Sequence, residues 1–163
     1  MSLTQETKIY SFLLGYGEGL LNGIKPEQAS TLICDGGVNP AWIIGHLGLV
    51  ANNALHILGG TPGIDIDRYK SLFSGGTQAS TDPAAYPAWD ELLTTWRDGH
   101  AAVVAAAAEV SDAVLDAPNP IDRFRDDLPT IRDFLGFVLT GHEAVHLGQL
   151  STWRRVQGQA PLF

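Results

Sequence analysis

His142 and His146 stand four residues apart, with Glu143 between them, in the run Gly141-His142-Glu143-Ala144-Val145-His146. On a helix, residues at that spacing differ by about 40° in azimuth and by about one turn in height, so both imidazoles can reach one ion. The run matches H-E-x-x-H literally. The competing interpretation is a pair of core histidines satisfied by hydrogen bonds. Each imidazole has two nitrogens to satisfy, and two rings stacked on one buried face are costly unless something engages them. Metal ligation meets that cost directly.

A helical pair supplies only two ligands, whereas an open zinc-type site takes three from the protein. The remaining histidines are His46, His56 and His100. His46 shares a helical face with Trp42, Ile43, Val50, Asn53 and Ile57, a stripe expected to be buried. His56 lies about 80° from it, near the helix end. His100 follows Arg97-Asp98-Gly99 and reads as a solvent-facing residue. Burial favours His46 and leaves the other two open. In zinc proteases with this motif the third ligand lies C-terminal to it, but residues 147–163 contain no His, Asp, Glu or Cys. The third ligand must come from upstream, so a protease site is excluded. Glu143 could act as a base on bound water, support a ligand, or face solvent. Gln149, about one turn beyond His146, could hydrogen-bond a ligand imidazole.

These residues need helices to carry them. Periodicity predicts a first helix from Thr4 to Asn22, with Ile9, Phe12, Leu13, Tyr16 and Leu20 at spacings of three and four. A second begins at Asn39, a natural N-cap followed by Pro40, and runs to Ile57 before Gly59-Gly60. Residues 60–82 read as a long loop rich in Gly, Ser and Thr. A third helix runs from near Pro87 to about Val110, and Ala117-Pro118-Asn119-Pro120 breaks the chain. Residues 121–129 read as a loop or short extended pieces. The fourth opens with Thr130 as N-cap and Asp133 three residues on, and ends at Gly158. It continues through Phe134, Val138, His142, Val145, His146, Gln149 and Trp153, with both histidines on the apolar stripe set by Phe134, Val138, Gln149 and Trp153. No segment alternates long enough for a strand. The expectation is an all-α four-helix bundle forming one domain over residues 1–163.

Composition bounds the partners. A formal charge of −8 argues against nucleic acid, because the tight basic pairs Arg123/Arg125 and Arg154/Arg155 read as solvated faces. The single Cys34 allows no internal disulfide, has no basic neighbour in sequence, and reads as structural or incidental. The opening Met1 to Glu6 has no basic region followed by an apolar run, and the alanine-rich 101–108 stretch is too short to span a bilayer. No membrane association is expected, and the location expected is cytoplasmic.

Three stretches also carry a family likeness: Asn39-Pro40-Ala41-Trp42-Ile43-Ile44-Gly45-His46-Leu47, Tyr86-Pro87-Ala88-Trp89-Asp90-Glu91-Leu92, and His142-Glu143-Ala144-Val145-His146-Leu147-Gly148-Gln149-Leu150. In order and spacing the sequence resembles the DinB-like (DinB/YfiT) superfamily of metalloenzymes. The resemblance implies a four-helix bundle with its own helix order and a divalent ion, nickel or zinc, near one end. It implies His46, His142 and His146 as the ligands, and a homodimer. Relatives include thiol-dependent S-transferases and a mycothiol-dependent isomerase, and no motif here selects one of these activities. The open metal site itself suggests a transferase or hydrolase acting on a small molecule, with a thiol cosubstrate as one option. The alternative is a non-catalytic metal- or ligand-binding module linked to stress. Imidazole ligands must be neutral to bind, so a tri-histidine site is expected to release its ion below about pH 6.

Overall fold

The computed structural model describes residues 2–162, one residue short at each end of the chain. It is all-helical: among the described residues the only β-type pairing is an isolated bridge between Pro118 and Thr130. The helices are α1 (Thr4–Leu21), α2 (Pro40–Ile57), α3 (Ile66–Phe73), α4 (Trp89–Glu109), α5 (Asp112–Leu115), α6 (Ile131–Phe137) and α7 (Glu143–Val156), and a π-helical turn, Val138–His142, joins α6 to α7.

The helix starts follow the expected chemistry. The Asn39 side chain accepts from the Trp42 amide with Pro40 in the first turn, and Thr130 and Asp133 form a reciprocal capping box. Gly59 and Gly158 take positive φ just beyond α2 and α7, a conformation that a Cβ disfavours.

Four long pieces close into a ring. α1 packs on α4 and on α7, and α2 packs on the same two, so α1 stands across the ring from α2, and α4 across from α7. Small residues allow α2 and α4 to approach closely. A Cβ on Gly48 would meet Thr95 at 3.0 Å, and one on Gly99 would meet the Ala51 Cβ at 3.0 Å. One half of the core gathers Leu20, Ile43, Leu47, Trp96, Leu150 and Trp153, and the other gathers Tyr10, Ala51, Leu55, Val103, Leu135 and Leu139.

Two expectations are corrected. The 60–82 segment is not a plain loop: it contains α3, capped by Asp65, which accepts from the Arg68 amide. Tyr69 and Phe73 bury one side of α3 against α2, and this extra cover is why α2 is buried on nearly every face from Pro40 to Leu49. The fourth helix is not one regular α-helix. Its π turn inserts the equivalent of one extra residue, which turns everything after it by about 100° relative to a continuous helix. The buried face of α7 is accordingly Glu143, Leu147, Leu150 and Trp153, while His142, His146 and Gln149, expected on the apolar stripe, are half-buried.

Candidate metal centre

The ring brings His46 of α2 to His142 and His146, at the junction of the π turn and α7. One nitrogen from each imidazole lies within 4.8 Å of one from each of the others. The Nε2 atoms of His46 and His142 are 3.1 Å apart. Two nitrogens bound to one zinc-sized ion at about 2.1 Å, and about 90–110° apart, stand about 3.0–3.4 Å from each other, so this separation fits shared coordination. The ring centroids are 5.1 Å apart for His46–His142 and 4.6 Å for each of the other two pairs.

Hydrogen bonds on the far side of the rings decide which nitrogens face inward. His46 Nδ1–H donates to the Phe73 carbonyl at 2.7 Å, which leaves Nε2 as the lone pair. Its ring is also stacked on Trp42, with centroids 4.9 Å apart and planes at 6°, and the Trp42 indole N–H donates to Thr77 Oγ1 at 2.9 Å. His146 Nδ1–H donates to Gln149 Oε1 at 2.8 Å, again leaving Nε2 as the acceptor atom. Nδ1 of His142 is buried with no hydrogen-bond partner. If His142 donates its Nε2 proton to His46, its Nδ1 lone pair is orphaned; if Nδ1 carries the proton, two Nε2 lone pairs face each other. A cation on the Nε2 side resolves that repulsion.

The surroundings keep the rings neutral, the state that ligates. Burial, and then the neighbouring His146, push His46 down to about 4, although the Phe73 carbonyl opposes the shift. Burial, then His146 and His46, push His142 down to about 3, and burial lowers His146 too. The Glu143 charge opposes the depression of His46 and His146, and the Arg123 guanidinium adds to that of His46 and His142. That group lies 4.6 Å above the Phe124 ring; Phe124 packs on Phe137, and Phe137 meets His142 edge-on with centroids 5.8 Å apart. In sequence Arg123 reads as one of a solvated pair. Only the fold carries it to the histidines, whereas Arg125 is tied to Asp122 and the Asn119 carbonyl.

His100, expected at the surface, is 1% exposed. Its Nδ1 donates to the Trp96 carbonyl at 2.8 Å, and its Nε2 lies 3.0 Å from Glu143 Oε1. Glu143 is 2% exposed, and the Trp96 indole N–H donates to the same oxygen at 3.3 Å. Of the placements open to Glu143 in sequence, the structure takes the one that points into the ring, because of the π turn before it. His56 is exposed and Cys34 is exposed, both apart from the cluster. Gln149 was legible as an imidazole partner; the Phe73 carbonyl was not, since it belongs to a helix hidden in a polar segment.

Residues 17–150 match the family model described as the DinB superfamily, and the chain belongs to that superfamily. A comparison with curated proteins finds no match. No helix among the described residues is long and apolar enough to cross a membrane.

Proposed function

We propose that His46, His142 and His146 hold one divalent ion, nickel or zinc, and that the protein is a metal-dependent transferase or hydrolase for a small molecule, with a thiol as the candidate cosubstrate. The reading takes residues 1–163 as one DinB-like domain. It rests above all on the two outward N–H bonds, His46 to the Phe73 carbonyl and His146 to Gln149, which leave both Nε2 lone pairs for the gathered cluster. Bound there, such an ion supplies Lewis acidity and lowers the pKa of a coordinated water or thiol.

The chain's own groups restrict what is recognised. Three neutral imidazoles leave the ion's charge uncompensated at the cluster. The favoured ligand therefore presents an anionic group. Glu143 is the carboxylate next to the ligands in sequence, but its Oε1 is engaged by His100 and Trp96. With that oxygen committed, this reading gives Glu143 a supporting role in place of the base role suggested by H-E-x-x-H.

Elemental analysis of the purified protein is expected to find about one metal per chain, lost in His46→Ala and in His142→Ala. A thiol offered with an electrophile is expected to be consumed by the loaded wild type alone. Full metal content in His46→Ala overturns the ligand set. Stoichiometric metal without turnover of any thiol or ester substrate overturns the enzyme reading in favour of a binding module.

A further inference from the structure

Glu143, His100 and Trp96 form a buried polar cluster that metal ligation does not use. The His100 and Glu143 side chains are 1% and 2% exposed. Their placement in the ring gives them a function. α4 and α7 stand across from each other and make little direct contact, so the bonds from Trp96 and His100 on α4 to Glu143 on α7 span the centre of the bundle. Because His100 Nδ1–H is committed to the Trp96 carbonyl, its Nε2 and Glu143 Oε1 face each other across a single shared proton, whichever residue carries it.

The partners of Glu143 are themselves clamped. Tyr10 of α1 stacks on His100, with ring centroids 4.0 Å apart and planes at 14°, and Trp96 meets the same imidazole edge-on at 5.2 Å. The Trp96 ring lies against Gly17 of α1, where a Cβ would come within 2.7 Å of it. Glu143 is adjacent in sequence to His142 and on the same helix as His146. The rotation that puts its carboxylate on His100 also turns the two imidazoles to the edge of the bundle, facing His46. A π turn immediately before it leaves the helix with a choice of register, and a buried carboxylate with only one set of partners selects one register.

We propose that Glu143, held by His100 and Trp96, is a positioning residue that sets the rotation of α7 and thereby brings His142 and His146 to His46. The proposal rests on the tri-histidine reading above and is tested so that the two can fail separately. Co²⁺ titration of the full chain, followed by its visible absorption, reports affinity and ligand geometry. Stoichiometric binding by the wild type is expected, and its failure counts against the metal reading. Glu143→Ala is expected to weaken Co²⁺ binding at least about tenfold and to change the band pattern. Glu143→Gln keeps an acceptor oxygen for Trp96 but cannot carry the proton shared with His100, and is expected to recover part of the affinity. Leu115→Ala, in the core of α5, is the control: it lowers thermal stability and is expected to leave affinity and spectrum unchanged. A second readout needs no metal: long-range ¹H–¹⁵N spectra of the imidazoles, in which Glu143→Ala moves the His142 and His146 signals and Leu115→Ala does not. Where Glu143→Ala fails to fold, His100→Ala takes its place with the same direction of change. Wild-type affinity, spectrum and imidazole shifts in the folded variant overturn the proposal, as does an equal loss in Leu115→Ala.

Discussion

In the proposed site His46 and His142 ligate as neutral rings, and acid is the condition that tests them. Near their ordinary value of 6.5 the unfolded chain takes up protons that the folded chain refuses, because folding lowers His46 to about 4 and His142 to about 3. The sign follows from linkage: with more protons bound to the unfolded state, stability falls as pH drops through the window between about 6.5 and about 4. Urea denaturation of metal-free protein at pH 7.5 and pH 5 is expected to show the loss, and His142→Ala to reduce it. The same depression moves metal release. Sequence alone points to release below about pH 6, the free-imidazole region. In the folded site protons compete later, so loss of the ion is expected with a midpoint nearer pH 4 than pH 6, measured by dialysis and elemental analysis. A midpoint at or above pH 6 contradicts the buried, mutually repelling arrangement.

At the scale of elements, the centre depends on how α3 is seated. The Phe73 ring occupies the space that a side chain at Gly45 would need, and the Phe73 carbonyl holds His46 from the same position. Gly45→Ala forces α3 away from α2 and is expected to cost about 1–3 kcal/mol, as overpacked sites do. It should also weaken metal binding, because the carbonyl moves with the helix. Gly15→Ala on α1, where nothing lies within 4 Å of the new Cβ, is expected to change stability in the other direction, by up to about 1 kcal/mol. Urea denaturation curves of the two variants check both signs. The π turn belongs to this scale as well. It explains why the apolar stripe expected to run from Phe134 and Val138 through His142, His146 and Gln149 is replaced after the turn by Glu143, Leu147 and Leu150. A regular helix would have put the imidazoles on the buried face; the extra residue buries the glutamate and leaves His142 and His146 half-buried at the edge.

For the molecule as a whole, the ring joins a site contributed by helices far apart in the chain, with 96 residues separating His46 from His142. An ion that binds only the folded ring stabilises it by mass action, by about 2.7 kcal/mol when the free ion is a hundredfold above its dissociation constant. Thermal denaturation is therefore expected to shift upward on adding Zn²⁺ or Ni²⁺ to apoprotein, and the shift to vanish in His46→Ala. An equal shift in that variant would mean that the ion acts elsewhere.

What the chain determined by itself is local. The helical pair His142/His146, the caps at Asn39 and Thr130, the glycine stops and the Gln149 partner all follow from spacing and side-chain chemistry within one or two turns, and the structure contains each of them. His46 stood out by burial among three candidates and by family likeness, and the ring brings it to the pair. Tertiary structure alone decided the rest. α3 is one eight-residue helix inside a segment rich in Gly, Ser and Thr, so composition reads it as loop although one face is apolar, and its role comes from what it covers. His100 follows a charged run yet is buried, since a helix face is inside or outside only relative to its neighbours. Glu143 changed sides because a π turn is a register defect that hydrophobic pattern does not reveal. Packing across the ring selects that register, and with it the direction in which every later residue of the helix points.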